Sequence, residues 1–323
     1  MTEPRPDPLL PPRAAPAHDL GQELGGDLPC VVCGYNLRGL SIRAFCPECG
    51  TGIRATILAV VDPLASELQP IIFPRLLAIL INAWTGGALF AVLLAWLPVV
   101  YDLVNALGWR VARPDVSIGI LAAMAVSGIG ALGLIRPHGR IGLALPTLAL
   151  TGVVLYTPAT LAIWAYMDET SRPLGPGYFS GWSPSGRAAQ LGFAAWASMA
   201  AIVLCLRPVA RLLVARSLAI RTGRVDRQTL YAMAVAAGIA AIGHALGGLA
   251  SSLQVAGQPP TLIDITRIVG LGLIAVGATL FTIGVFGSLI DTIRIAGAIV
   301  IPGPSLPQVL SPGKPPNQPD LPT

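Results

Sequence analysis

Six long stretches of this chain contain no Asp, Glu, Lys or Arg: residues 76–101, 116–135, 141–167, 188–206, 228–263 and 268–290. Each meets or nearly meets the length of about 20 residues that an α-helix needs to cross the hydrocarbon core of a bilayer. The charges collect at the borders, with Arg75 and Asp102 around the first stretch and Arg140 and Asp168 around the third. Buried helices of soluble proteins are rarely this long without a charge. The pattern therefore predicts an all-α membrane protein with six transmembrane helices, over about 76–101, 116–135, 141–167, 188–206, 229–255 and 265–290. The fifth stretch is trimmed at the turn residues Gly257 to Pro260, and a seventh span at 295–301 is too short.

Composition strengthens this reading. Hydrophobic residues make up 54% and charged residues 11% of the 323 positions, against about 25% charged in soluble domains. Such a composition argues against a water-soluble globular enzyme. Thirty-six Gly and 30 Pro would suggest disorder in a polar chain, but both are frequent in membrane helices. Proline runs at 4–16 and in 302–323 predict exposed tails. The expected organisation is a disordered tail over 1–27, a small cysteine domain over 28–54, a linker over 55–70, the six-helix domain over 71–301 and a second disordered tail over 302–323. No apolar core follows a basic start, so no signal peptide is expected.

The net charge of +5 matters mainly through its distribution. With the N-terminus placed in the cytoplasm, the inner segments hold 16 of the 21 basic residues and the outer segments five. The positive-inside rule then predicts a multi-pass protein of the cell's inner, cytoplasmic membrane with both termini cytoplasmic. One inner segment, 207–228, interleaves six Arg with Leu212, Leu213, Val214, Leu218 and Ile220. That pattern predicts a helix lying on anionic lipid. In the outer segment 168–187, Tyr178, Phe179 and Trp182 are expected at headgroup level. Asp264 with Arg267, and Asp291 with Arg294, are spaced to pair at the two ends of the sixth helix.

Candidate chemistry begins with Cys30, Cys33, Cys46 and Cys49, in LPCVVCGYNLRGLSIRAFCPECGTGI. Two cysteines two residues apart on a tight turn can present both sulfurs to one ion, and two such turns complete a tetrahedral zinc site. Gly34 and Gly50 follow each second cysteine, where a positive φ turns backbone amides toward the thiolates. Disulfides, redox chemistry and iron are the competing readings. A reducing cytoplasm opposes the first, and no βαβ pattern surrounds the motif to favour the second.

The segments CVVCGYN and CPECGTG resemble the two knuckles of the zinc-ribbon, or double zinc-knuckle, family. CGYNLRGL followed by CPECG is similar to the N-terminal ribbon of uncharacterised bacterial multi-pass membrane proteins. The resemblance implies that all four cysteines ligate a structural Zn2+ within a small β-hairpin module. Such a closed site leaves no open position for catalysis. Tyr35, Leu37, Leu40, Ile42 and Phe45 are available to cover it. Arg38, Arg43 and Arg54 make one side mildly basic, too sparsely to predict nucleic-acid binding.

Within the spans the ionisable candidate is His244, in AIGHALGGLASS. His138 falls in a short loop, His18 in the N-terminal tail, and Cys205 near one end of the fourth span. Ser127 in AVSGIG and His244 superficially resemble the serine and histidine segments of rhomboid-type intramembrane proteases. Ala125 stands where that family carries glycine, and the two residues fall in the second and fifth spans. Proline at 98, 146 and 158 interrupts spans, as it does where transporters line their sites. The expected function is non-enzymatic, with the ribbon docking a cytoplasmic protein partner or serving assembly or regulation. The alternatives are a small-molecule permease or its regulatory subunit and, more remotely, an intramembrane Ser/His hydrolase. A polar, water-accessible cavity near His244 would favour the permease.

Overall fold

The computed structural model describes residues 23–61, 69–109, 111, 115–139, 141–170, 185–220 and 229–300. These residues fall into two compact units that divide between Ala65 and Ser66. Residues 1–22 of the expected tail 1–27, the whole of the expected tail 302–323, and the expected headgroup aromatics Tyr178, Phe179 and Trp182 lie outside the described residues. Residues 23–27 belong instead to the cysteine module, where Glu23 bridges Ser41 and Asp27 accepts from the Asn36 amide.

The first unit is a run of tight turns closed by a helix, α1 (Ile53–Val61). Each cysteine pair sits in a turn that returns the chain on itself. Gly34 N–H bonds the Cys30 carbonyl and Gly50 N–H bonds the Cys46 carbonyl, at 2.8 and 2.9 Å. Both glycines have positive φ, 75° and 69°, a conformation that side-chain-bearing residues adopt only at a cost. The backbone pairings Pro29–Asn36, Phe45–Gly52 and Glu23–Ser41 are isolated bridges. The expected β-hairpin is therefore not seen as paired strands among the described residues. A further turn at Gly39, φ 75°, uses up the twelve residues between the cysteine pairs before a ladder can extend. A small core of Cys30, Leu37, Cys46 and Ile53 is flanked by Leu24, Leu28 and Ile57. The start of the expected linker, 55–70, is helical, as part of α1. Ile53, Ala55, Thr56 and Ala59 bury one face of α1, and Ile57 packs against the core.

The second unit is helical, and six of its segments are long and apolar enough to cross a membrane. These are α2 (Pro74–Ala106), α3 (Ser117–Ala131) with the 3-10 turn Leu132–Leu134 that extends it, a broken span formed by α4 (Ala144–Val154) and α5 (Tyr156–Thr170), α6 (Gly186–Ile220), α7 (Thr229–Val255) and α8 (Pro260–Ile299). They support a multi-pass membrane protein. The break at Leu155 lies where Pro158 has no N–H to offer the Val154 carbonyl. Pro98 and Pro208, by contrast, are accommodated inside α2 and α6. Large apolar side chains such as Ile79, Phe90, Leu161, Ile283 and Ile293 point outward and are exposed. So much outward apolar surface fits lipid rather than water.

Small residues bring the helices together. A Cβ on Gly243 of α7 would stand 2.5 Å from the Gly270 carbonyl oxygen of α8. One on Gly277 of α8 would stand 2.6 Å from the Ala236 oxygen and Ala240 nitrogen of α7. The α2–α3 contact is equally close at Gly87 and Gly130.

The helix expected to lie on lipid at 207–228 has a different form. Residues 207–220 continue α6, and 221–228 fall outside the described residues. The cause is visible in the contacts. Leu206, Val209 and Leu213 are buried in the bundle core, and Arg216 is 4% exposed. Its Nη1 donates to the Gln69 carbonyl oxygen at 2.7 Å. Arg207 lies over the Tyr231 ring, 5.6 Å from its centroid. The helix α8 also exceeds its expected span, 265–290, at both ends. The Asp264–Arg267 pair forms there at 4.0 Å.

Candidate functional site

The four cysteine sulfurs of the first unit lie within 4.8 Å of one another. Cys30 and Cys49 are 3.6 Å apart, and Cys33 and Cys46 are 3.5 Å apart. All four are free thiols. Tetrahedral zinc with bonds of about 2.3 Å requires sulfurs about 3.8 Å apart, so the cluster has the dimensions of a four-thiolate metal site. The first cysteine of each pair is buried and the second is exposed. The cluster can thus accept a metal ion from solvent while two of its sulfurs remain in the core.

Local hydrogen bonds hold this geometry. Cys30 N–H bonds the Tyr35 carbonyl and Cys46 N–H the Thr51 carbonyl, both at 2.8 Å. The Thr51 hydroxyl lies 3.2 Å from the Cys49 sulfur. Burial pushes the Cys33 and Cys46 thiols above the usual range. Burial acts the same way on Cys49, but hydrogen bonds from the Thr51 hydroxyl and backbone bring that thiol down to about 7. Metal uptake must therefore displace thiol protons. Acidifying the metal-loaded protein from neutral pH toward pH 5 will release the ion, and metal retained on the protein after desalting measures it. The Arg38–Asp27 pair, 3.6 Å apart with both side chains largely exposed, contributes little.

The second unit contains a cavity of about 1170 Å³ that opens at the surface, where the lining residues Ile118, Trp164 and Ile268 are exposed. Every helix of that unit except α4 contributes to its wall. Four tryptophans, Trp84, Trp96, Trp164 and Trp196, line it together with Met199 and Phe281. Its polar end is marked by Asp115 and Ser117 at the start of α3 and by Asp168 and Thr170 at the end of α5. The Asp115 carboxylate accepts the Ser117 N–H at 2.9 Å, and this bond holds the carboxyl below the usual carboxylate range.

The sequence-predicted residues Ser127 and His244 both line this cavity, in different settings. Ser127 Oγ donates to the Trp84 carbonyl at 2.8 Å, and Trp84 Nε1 donates to the Tyr156 hydroxyl at 3.0 Å. The Tyr156 hydroxyl lies 2.9 Å from Ser127 Oγ. With the serine proton committed to Trp84, the tyrosine is the donor in that last contact. The three residues form a closed ring of hydrogen bonds joining α2, α3 and α5. His244 instead meets Tyr166 edge-on, with centroids 5.5 Å apart, and its imidazole occupies the space a side chain at Gly192 would need. His138 is buried in a loop, where its backbone bridges Ile71. Cys205 lies beside Gly152.

Sequence reasoning missed Trp84 and Tyr156. A tyrosine inside a charge-free stretch was the available signal, since a buried phenol needs a partner. Tyr156→Phe will leave the Trp84 indole N–H and one Ser127 lone pair unmatched. The expected cost is about 1–2 kcal/mol, read as a lower melting temperature in detergent with the helix content unchanged.

Compared with known protein families, curated proteins and solved structures, the chain matches none.

Proposed function

We propose that this chain is a non-enzymatic membrane protein whose cysteine module is a cytoplasmic zinc ribbon, serving as a docking or assembly head for a protein partner. The observation that carries this reading is the closed set of four thiolates. Four protein ligands leave no position for a substrate or an activated water, so the ion's role is to fold the module. A tetrahedral all-sulfur set suits zinc or iron. Zinc fits a single ion held by two turn-borne pairs. The mutual bonding of Ser127, Trp84 and Tyr156 supports a packing role for that serine over a nucleophilic one.

The experiment purifies the full chain and a Cys46→Ser/Cys49→Ser variant in detergent, then compares metal content and co-purifying proteins. One zinc per chain, with specific partners that disappear from the variant, is the expected result. Partners retained by a metal-free variant would overturn the docking role, and iron in place of zinc would overturn the ligand assignment.

A second reading, a small-molecule permease or its regulatory subunit, is supported by the cavity in the bundle, which His244 lines but whose wall is largely apolar instead of polar. Its size places it at the upper end of ligand pockets, which run to about 1,000 Å³.

A further inference from the structure

The shape and chemistry of the bundle cavity restrict what can fill it. Along α2 the wall runs from Trp84 to Val99, which at 1.5 Å per residue is about 22 Å. Along α8 it runs from Ile268 to Ser288, about 30 Å. The space is thus long as well as large, and exceeds the depth of one bilayer leaflet, about 15 Å.

Over most of this length the wall has little to offer a hydrophilic solute. Several of its polar side chains are already engaged. Ser127, Trp84 and Tyr156 close their ring, Trp96 Nε1 donates to Thr282 Oγ1 at 2.9 Å, and Thr85 bonds Thr292 at 2.7 Å. A water-soluble ligand entering here would lose its hydration without replacement bonds, at a cost of several kcal/mol per group. An apolar chain incurs no such penalty.

The polar end is different. Asp115 and Asp168 border the cavity there, beside Ser117 and Thr170. Two carboxylates repel an anionic head and accept hydrogen bonds from a neutral or cationic one.

We propose that the bundle cavity binds a single-chain amphiphile drawn from the bilayer, with its hydrocarbon tail along α2 and α8 and a hydroxyl or amine head at Asp115 and Asp168. This deepens the second reading by naming its ligand, and rests on the cavity being a ligand site. It does not require that the ligand be moved across the membrane.

The test uses a long-chain alcohol carrying a photoreactive group in its tail, added to the delipidated full chain in detergent. Saturable labelling of about one per chain is expected, mapping to α2, α6 or α8 lining residues and competed by unlabelled hexadecanol or hexadecylamine but not by palmitate. Gly272 lines the cavity, and a Cβ there meets nothing within 4 Å. Gly272→Phe, and the smaller Gly272→Leu, will cut labelling at least fivefold. Gly238 also has open space but is not in the wall, and Gly238→Phe will leave labelling unchanged. Labelling that is unsaturable, that survives both Gly272 variants, or that palmitate competes equally would overturn the proposal. Native mass spectrometry of the wild type, in which a retained amphiphile adds mass, gives a readout independent of any variant. Binding without flux into vesicles would remove the permease reading alone; no binding would overturn the amphiphile proposal alone.

Discussion

Replacing Cys46 and Cys49 by serine will unfold the cysteine module while leaving the helical bundle intact. The module's core is four side chains, Cys30, Leu37, Cys46 and Ile53, two of which are themselves proposed ligands. So small a core cannot offset the conformational entropy of ordering residues 23–61. A structural zinc contributes about 10–16 kcal/mol to such folds at neutral pH, as much as or more than the whole stability of an ordinary domain. Amide exchange should show Leu37, Ile53 and Ala59 losing protection in the serine variant, with α7 and α8 unchanged. A chelator acting on the wild type should reproduce the loss. If the variant keeps its exchange protection, the turns and α1 hold the module without metal, and the ion is an accessory.

The second large effect is expected at Gly130. A Cβ on this residue of α3 would lie 2.6 Å from the Leu80 carbonyl oxygen of α2 and closer still to the Trp84 backbone nitrogen. Both are backbone atoms, which cannot rotate aside as a flexible side chain can. Gly130→Ala therefore forces α2 and α3 apart, and with them the hydrogen-bond ring of Trp84, Ser127 and Tyr156. Overpacking commonly costs about 1–3 kcal/mol, and contact with rigid backbone atoms of α2 places this substitution near about 3 kcal/mol. Gly238→Ala is the matching control, because nothing lies within 4 Å of its Cβ. There the better helix propensity of alanine, about 0.5–1 kcal/mol, is the only change, and the melting temperature should hold or rise. Thermal melts of the two variants in the same detergent thus predict shifts of opposite sign. Similar melts would show that the helices separate at no cost.

The positions of the spans could be read from sequence because an unpaired charge in hydrocarbon is expensive, so charge-free stretches mark them. Their ends were harder to read. Arg207, Arg211 and Arg216 made residue 206 look like the end of a span, yet α6 continues to Ile220. The reason is a tertiary partner: Arg216 is held by the Gln69 carbonyl, 147 positions away in sequence, a contact that periodicity does not reveal. The cysteine spacing made the candidate metal centre visible because ligand geometry is local. The helix after it was missed although IRATILAVV carries a helical pattern, with Ile53, Thr56 and Ile57 on its inner side. Short apolar runs next to a motif are easily taken for linker. The cavity had no local signature at all.

The aromatic wall of that cavity gives the molecule an optical property of its own. Four of the six tryptophans in the chain border the same space. Indole emission shifts to shorter wavelength when mobile water dipoles around it give way to hydrocarbon. The ultraviolet fluorescence of this protein therefore responds to what fills the bundle, and a change of contents will appear as a change of colour, without any attached dye.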